Sequence, residues 1–157
     1  MPFTPFHLGL AAVIKAATPH RFSFLIFAGS QVLMDLEVAI RMVKGTELLH
    51  GMSHTVPGAL VIGAVAALIG RPVTQFVMDI VDGGKVSKLA AWSGAMVGTL
   101  SHVLLDAFMH ADMEPWWPLG ESNALLGMVQ LDLLHALLGW GLVIGGVAVV
   151  VRRRLAP

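Results

Sequence analysis

The chain has 157 residues, of which 56% are hydrophobic and 13% charged, with a mean hydropathy of +0.78. A soluble domain carries about 25% charged residues, so the composition excludes an ordinary soluble domain. It points instead to a single membrane-embedded domain over residues 1–157, all-α, a polytopic integral membrane helical bundle of about five helices. The formal net charge of +0 removes the electrostatic case for a nucleic-acid partner, and the absence of cysteine removes disulfides and thiolate ligands.

The first predicted helix covers about Pro5 to Thr18 and is short or re-entrant, because fourteen residues at ~1.5 Å each reach roughly 21 Å of a ~30 Å hydrocarbon core. Met1-Pro-Phe-Thr-Pro before it lacks a basic leader, so no cleavable signal peptide is expected. The second helix runs from about Phe22 to Val43. The third is expected from Thr46, as N-cap, to Gly70, kinked at Pro57. An interfacial stretch, Arg71 to Lys88, turns at Asp82-Gly83-Gly84-Lys85. The fourth helix covers about Leu89 to His110, and the fifth about Ala124 to Val151. Gly94-x-x-x-Gly98 and Gly141-x-x-x-Gly145 are spacings that permit close helix packing.

With Arg152, Arg153 and Arg154 in the cytoplasm, Lys15, Arg21, Arg71, Lys85 and Lys88 fall on that side too, against Arg41 and Lys44 outside. The positive-inside rule then gives an external N-terminus and a cytoplasmic C-terminus in a multi-pass membrane protein. The same arrangement sends most acids, and His7, His50, His54, His102 and His110, to the outer half.

Those histidines carry the chemistry. On helices, His50 with His54, and His102 with Asp106 and His110, would form two ladders four residues apart on one face. Ionisable groups in transmembrane segments are expensive and mark functional sites. Imidazole with carboxylate suits Zn²⁺, Mn²⁺ or non-haem iron. The candidate ligands are His7, Asp35, His50, His54, His102, Asp106 and His110, holding one or two divalent ions, zinc foremost. Asp35 and Glu37 lie about 200° apart on an ideal helix and cannot both face one ion there. The pair Asp132 and His135 reads as outer support or packing. A hydrogen-bonded polar network without metal is the other reading of the cluster. H-x-x-x-H without an inner glutamate disfavours a zincin-like protease.

In this order the residues resemble the membrane-bound, YdjM-type metal-dependent hydrolases. The matching pieces are His7, Asp35-Leu36-Glu37, His50-x-x-x-His54-Thr55, Ser101-His102-Val-Leu-Leu-Asp106 and Trp117-Pro118. The chain departs from that pattern with Asp-Leu-Glu where Pro-Asp-x-Asp is frequent, and with Gly51 where arginine is frequent. The resemblance implies an inner-membrane hydrolase.

Together these features lead to an expected hydrolysis of a lipid-linked ester or phosphoester at the outer face, with Glu37 or Asp106 as the catalytic carboxylate. The bilayer and a lipid substrate are the expected partners. Two other classes fit the same residues: an ion, proton or metal transporter, and a non-catalytic membrane protein with a structural metal site.

Overall fold

Three helices start where a hydroxyl can take up the first free backbone N–H groups. Ser23 accepts from Ile26 N (3.3 Å), Thr55 from Gly58 N (3.0 Å) and Ser87 from Ala90 N (3.0 Å). The computed structural model describes residues 5–81 and 83–155. Among them are five α-helices and no strand: α1 (His7–Ala17), α2 (Phe24–Val43), α3 (Val56–Ile80), α4 (Lys88–Met109) and α5 (Leu131–Leu155), with a 3-10 turn at Met52–His54. Asp82 of the expected turn, and Met1 to Thr4 of the supposed leader region, lie outside the described residues.

Several expected boundaries move. The third helix starts at Val56, not after Thr46. Gly45 adopts φ 68, and the Thr46 hydroxyl donates back to Arg41 O (3.1 Å), so this segment closes α2 rather than opening α3. Pro57 therefore sits in the first turn of α3, where a missing N–H is harmless, and makes no mid-helix kink there. His50 and His54 accordingly share no helix face.

The expected interfacial stretch after Gly70 is instead the second half of α3, which runs through Pro72 to Ile80. The segment after it folds back on that half: Val86 N donates to Gln75 Oε1 (2.8 Å) and Arg71 Nε to Val86 O (3.1 Å). The fifth helix begins at Leu131 rather than near Ala124. Residues ahead of it are held in a loop by Asn123, whose amide donates to Ala107 O (2.8 Å) and accepts from Leu125 N (3.2 Å).

Small residues line the packing seams. A Cβ on Gly9 would overlap the Leu138 carbonyl, and one on Gly145 the backbone of Ala12 and Val13, so α1 and α5 lie backbone to backbone. On α4, a Cβ on Gly94 would overlap the Ser23 carbonyl just ahead of α2, and one on Gly98 the Ser30 hydroxyl of α2. The buried apolar set is rich in alanine (Ala11, Ala12, Ala59, Ala66, Ala67, Ala91, Ala95, Ala107), while Val61, Leu68, Phe76, Leu137 and Trp140 are each more than half exposed. Large side chains outside and small ones between helices is the arrangement of helices packed in lipid. Two helices, α3 and α5, are long and apolar enough to cross a membrane; only 22% and 17% of their most apolar windows are buried.

The helices alternate in direction, and the chemistry separates by end. His7, Asp35, His54, Asp106 and the start of α3 share one end, where Val56 N donates to Pro115 O (2.8 Å). At the other end Lys15 donates to Pro19 O and Phe22 O, and Arg152 to Ala16 O, taking up free carbonyls where α1 stops.

The α1–α5 seam can be tested directly. Gly145→Ala should destabilise the protein by about 1–3 kcal/mol through overpacking. Gly146→Ala, whose Cβ would meet nothing within 4 Å, should leave the thermal midpoint in detergent unchanged or slightly raised.

Candidate metal centre

Three elements bring four ionisable side chains to one point. Asp35 comes from α2, His54 from the 3-10 turn, and His102 and Asp106 from successive turns of α4; all four are buried, and one ligand atom from each lies within 4.8 Å of the others. His102 Nε2 is 3.1 Å from Asp106 Oδ2, 3.4 Å from Asp35 Oδ1 and 3.2 Å from His54 Nε2. His54 Nε2 is 3.6 Å from Asp106 Oδ2. His7, at the start of α1, adds its Nε2 at 3.4 Å from Asp106 Oδ1.

A second group adjoins the first. His50, Asp106 and His110 also place one ligand atom each within 4.8 Å of one another, so Asp106 belongs to both groups. The His50 ring lies 4.8 Å from that of His54 and 4.4 Å from that of His110. Asp112 supports this half from behind: its Oδ1 accepts from His50 Nδ1 (2.8 Å), and its Oδ2 from Leu49 N (2.9 Å) and His50 N (3.1 Å). Burial opposes the charge on Asp112, but these hydrogen bonds outweigh it and push its pKa down to about 2. Burial holds His110 below its ordinary value, against the pull of nearby Asp106.

Three observations fit a divalent ion. Ligand–ligand edges of a tetrahedron with ~2.0–2.2 Å bonds measure about 3.3–3.6 Å, close to the separations around His102 Nε2. The two Nε2 atoms of His54 and His102 face each other, an arrangement that a cation between imidazole lone pairs satisfies. And among the described residues His7 Nε2 is a buried polar atom without a hydrogen-bond partner, aimed at the same carboxylate. Metal-binding histidines are usually held through their other ring nitrogen. Here that nitrogen is engaged in His54 (Ser53 Oγ, 2.8 Å), in His50 (Asp112), and in His7 and His102 (Gln31 Oε1, 3.1 and 2.7 Å).

The match with known sequences comes at this point. A sequence model described as YdjM inner membrane protein covers residues 3–155, nearly the whole chain. The chain belongs to the YdjM inner membrane protein family. It has no match among curated proteins or solved structures. Membership accords with the resemblance carried by His7, Asp35, His54, His102 and Asp106, and the family's description places such chains in the inner membrane.

The structure sorts the remaining candidates. His50 and His54 meet although the segment is irregular, because the 3-10 turn supplies the curvature a helix would have supplied. His110 caps the end of α4 in an extended conformation and joins His50 and Asp106. Glu37 points elsewhere: one oxygen accepts from Arg41 Nε (2.8 Å) and the other from Ser53 N (2.8 Å). Asp35 and Glu37 thus divide between two faces of an unbroken α2. Asp132 is exposed, and His135 stacks on Phe6 with ring centroids 4.7 Å apart.

Sequence reasoning did not place Ser53 or Gln31 beside the histidines. Gln31 lies one turn before Asp35 on α2, a same-face signal available from spacing. Ser53 becomes relevant only once the 3-10 turn sets it against His54.

Asp112 offers a check on the second half of the cluster. Asp112→Ala leaves the Leu49 and His50 amides without their acceptor and should destabilise the protein by about 1–3 kcal/mol. Asp112→Asn, which keeps an acceptor oxygen, should recover part of that loss in thermal unfolding.

Proposed function

We propose that this YdjM-family chain is a polytopic inner-membrane metalloenzyme that hydrolyses a lipid-linked ester or phosphoester. The observation that carries the reading is the convergence of His54, His102, Asp35 and Asp106 at one buried point, continued through shared Asp106 to His50 and His110. In a low-dielectric interior such a set is expensive unless charge is matched. Two carboxylates and several imidazoles, with no lysine or arginine among them, are a donor set for a cation. Asp35, His54, His102 and Asp106, with His7 beside them, would hold one divalent ion, and His50, Asp106 and His110 a second.

An ion held there supplies Lewis-acid polarisation of the scissile group and lowers the pKa of water toward ~7. The chain's own residues do the rest. Asp106, shared between the two groups, keeps both halves in register. Asp112 holds the His50 ring by Nδ1 and the backbone of residues 49 and 50. His110 is half-buried, while the His50 side chain is 7% exposed and the other five ligand candidates are nearly inaccessible, so a substrate reaches the cluster from the His110 side. Asp35 or Asp106 would be the carboxylate that accepts a proton from water. Glu37 is tied to Arg41 and Ser53 and positions the turn that carries His54, a role different from the catalytic carboxylate expected of it.

The outward-facing leucine side chains on every long helix, with Trp92 on α4 and Trp140 on α5, favour a multi-pass arrangement in which the bilayer covers α2 and α4 as well as α3 and α5. Helix α1, at 11 residues, reaches only about 16 Å and enters the bilayer without crossing it fully. The basic end, with Lys15, Arg21 and Arg152 to Arg154, then faces the cytoplasm, and the cluster the outer face.

Elemental analysis of detergent-purified protein tests the metal reading. One or two equivalents of zinc, manganese or iron are expected, falling to background in the folded His54→Ala/His102→Ala double variant. Metal content unchanged by that substitution, or absent from the wild type after reconstitution, overturns it. Hydrolysis is tested by release of acid or phosphate from bilayer lipids by the loaded protein, abolished in Asp106→Asn. For topology, a reporter fused after Arg154 should be cytoplasmic and one at Gly45 external.

A further inference from the structure

A single buried amide contacts two of the histidines, and its orientation is determined by a third helix. Gln31 is 8% exposed, and its Nε2 donates to the Gly98 carbonyl oxygen of α4 (2.9 Å). That bond decides which end of the amide is oxygen, since the reverse placement would set two carbonyl oxygens against each other. Gln31 Oε1 then faces His7 Nδ1 at 3.1 Å and His102 Nδ1 at 2.7 Å. A carbonyl oxygen has two lone pairs and no hydrogen, so both imidazoles must donate, and both carry hydrogen on Nδ1.

We propose that Gln31 is a positioning residue that sets the tautomer of His7 and His102 together, leaving the Nε2 of each free to share a cation with the Asp35 and Asp106 carboxylates. The rings support this: they meet edge to face, centroids 4.9 Å apart at 84°, as two donors sharing one acceptor from different sides require. The atoms left over are the ones a metal needs. His7 Nε2 has no hydrogen-bond partner, and His102 Nε2 lies within 3.4 Å of both carboxylates.

The residue type follows from the setting. A carboxylate would also accept from both imidazoles, but it would add a third negative charge beside Asp35 and Asp106. It would also lack the donor that anchors the group on Gly98. Serine is too short to span the gap. The amide is neutral, and it ties α1, α2 and α4 together through one side chain. Gly98 makes the reach possible, because a Cβ there would overlap Ser30 Oγ and force α2 away. The Gly94-x-x-x-Gly98 seam therefore sets the site as well as the packing.

The consequence for affinity rests on the metal reading above, while the tautomer assignment does not. Imidazole ¹⁵N spectra of metal-free and zinc-loaded protein, with His7 and His102 assigned by substitution, are compared for wild type, Gln31→Leu and Gln31→Glu. In the wild type both residues should show hydrogen on Nδ1. Gln31→Leu should mix the tautomers of both histidines and weaken zinc binding about 10–100-fold, and Gln31→Glu, which keeps the shared acceptor but loses the donor to Gly98, should keep the Nδ1–H form with an affinity between those of wild type and Gln31→Leu. Hydrogen on Nε2 of neutral His7 or His102 in the wild type overturns the proposal, as does an unchanged tautomer pattern in Gln31→Leu. If Gln31→Leu does not fold, Gln31→Glu decides alone: loss of the Nδ1–H pattern in it overturns the proposal. A wild type that binds no zinc but shows both Nδ1–H forms would sink the metal reading and leave the clamp standing.

Discussion

Two carboxylates, Asp35 and Asp106, are 5% and 4% exposed between helices whose outer surfaces are apolar, and the arrangement around them is dominated by the need to match that charge. Unpaired, either would cost several kcal/mol in so dry a setting. Their neighbours are imidazoles from three other points in the chain, and each imidazole is held by its far nitrogen to an oxygen acceptor. The result is a closed ring of dependence. The carboxylates are tolerable because the histidines face them, and the histidines face them because Gln31 and Ser53 hold their backs.

That ring demands close helices, and small residues supply the closeness. Gly98 admits Ser30 and lets Gln31 touch the α4 backbone; Gly9, Gly141 and Gly145 bring α5 against α1, which carries His7. The buried apolar residues around the cluster (Met34, Ala59, Val103, Ala107, Met113) form one contiguous set. The large aliphatic side chains are turned outward, where a bilayer rather than the protein interior receives them. Packing and polar matching are therefore one problem here: widening a seam by a methyl group moves a ligand.

The cluster is also asymmetric in access. Its inner half, with His7, His54, His102 and both carboxylates, is nearly sealed, whereas His110 is half-buried beside an exposed loop rim. Chemistry on a large amphiphile would take place at that rim, with the inner half fixing the charge distribution behind it. The Asp112 bonds to residues 49 and 50 stiffen an irregular segment that contributes to the site.

Much of this was legible in the residue order. Composition pointed to a membrane-embedded helical chain, and the i,i+4 pair His102 and Asp106 shares one helix face as its spacing implied. The helix limits near Val43, Lys88 and Met109 followed from local capping and hydropathy, which are short-range effects. The segment from Thr46 to Thr55 did not follow, because apolar spacing there mimics a helix while Gly45 and Thr46 close the preceding one. Nor did the continuation of α3 through Pro72, which is offset by the loop folding back onto Gln75 and Arg71. Residue order alone settled which groups this chain must bury, because helix periodicity and hydropathy are local. Which nitrogen meets which oxygen, and that Glu37 turns to Arg41 while Asp35 turns inward, depended on contacts between residues far apart in the chain, such as His7 with Asp106, and only the packed helices could decide them.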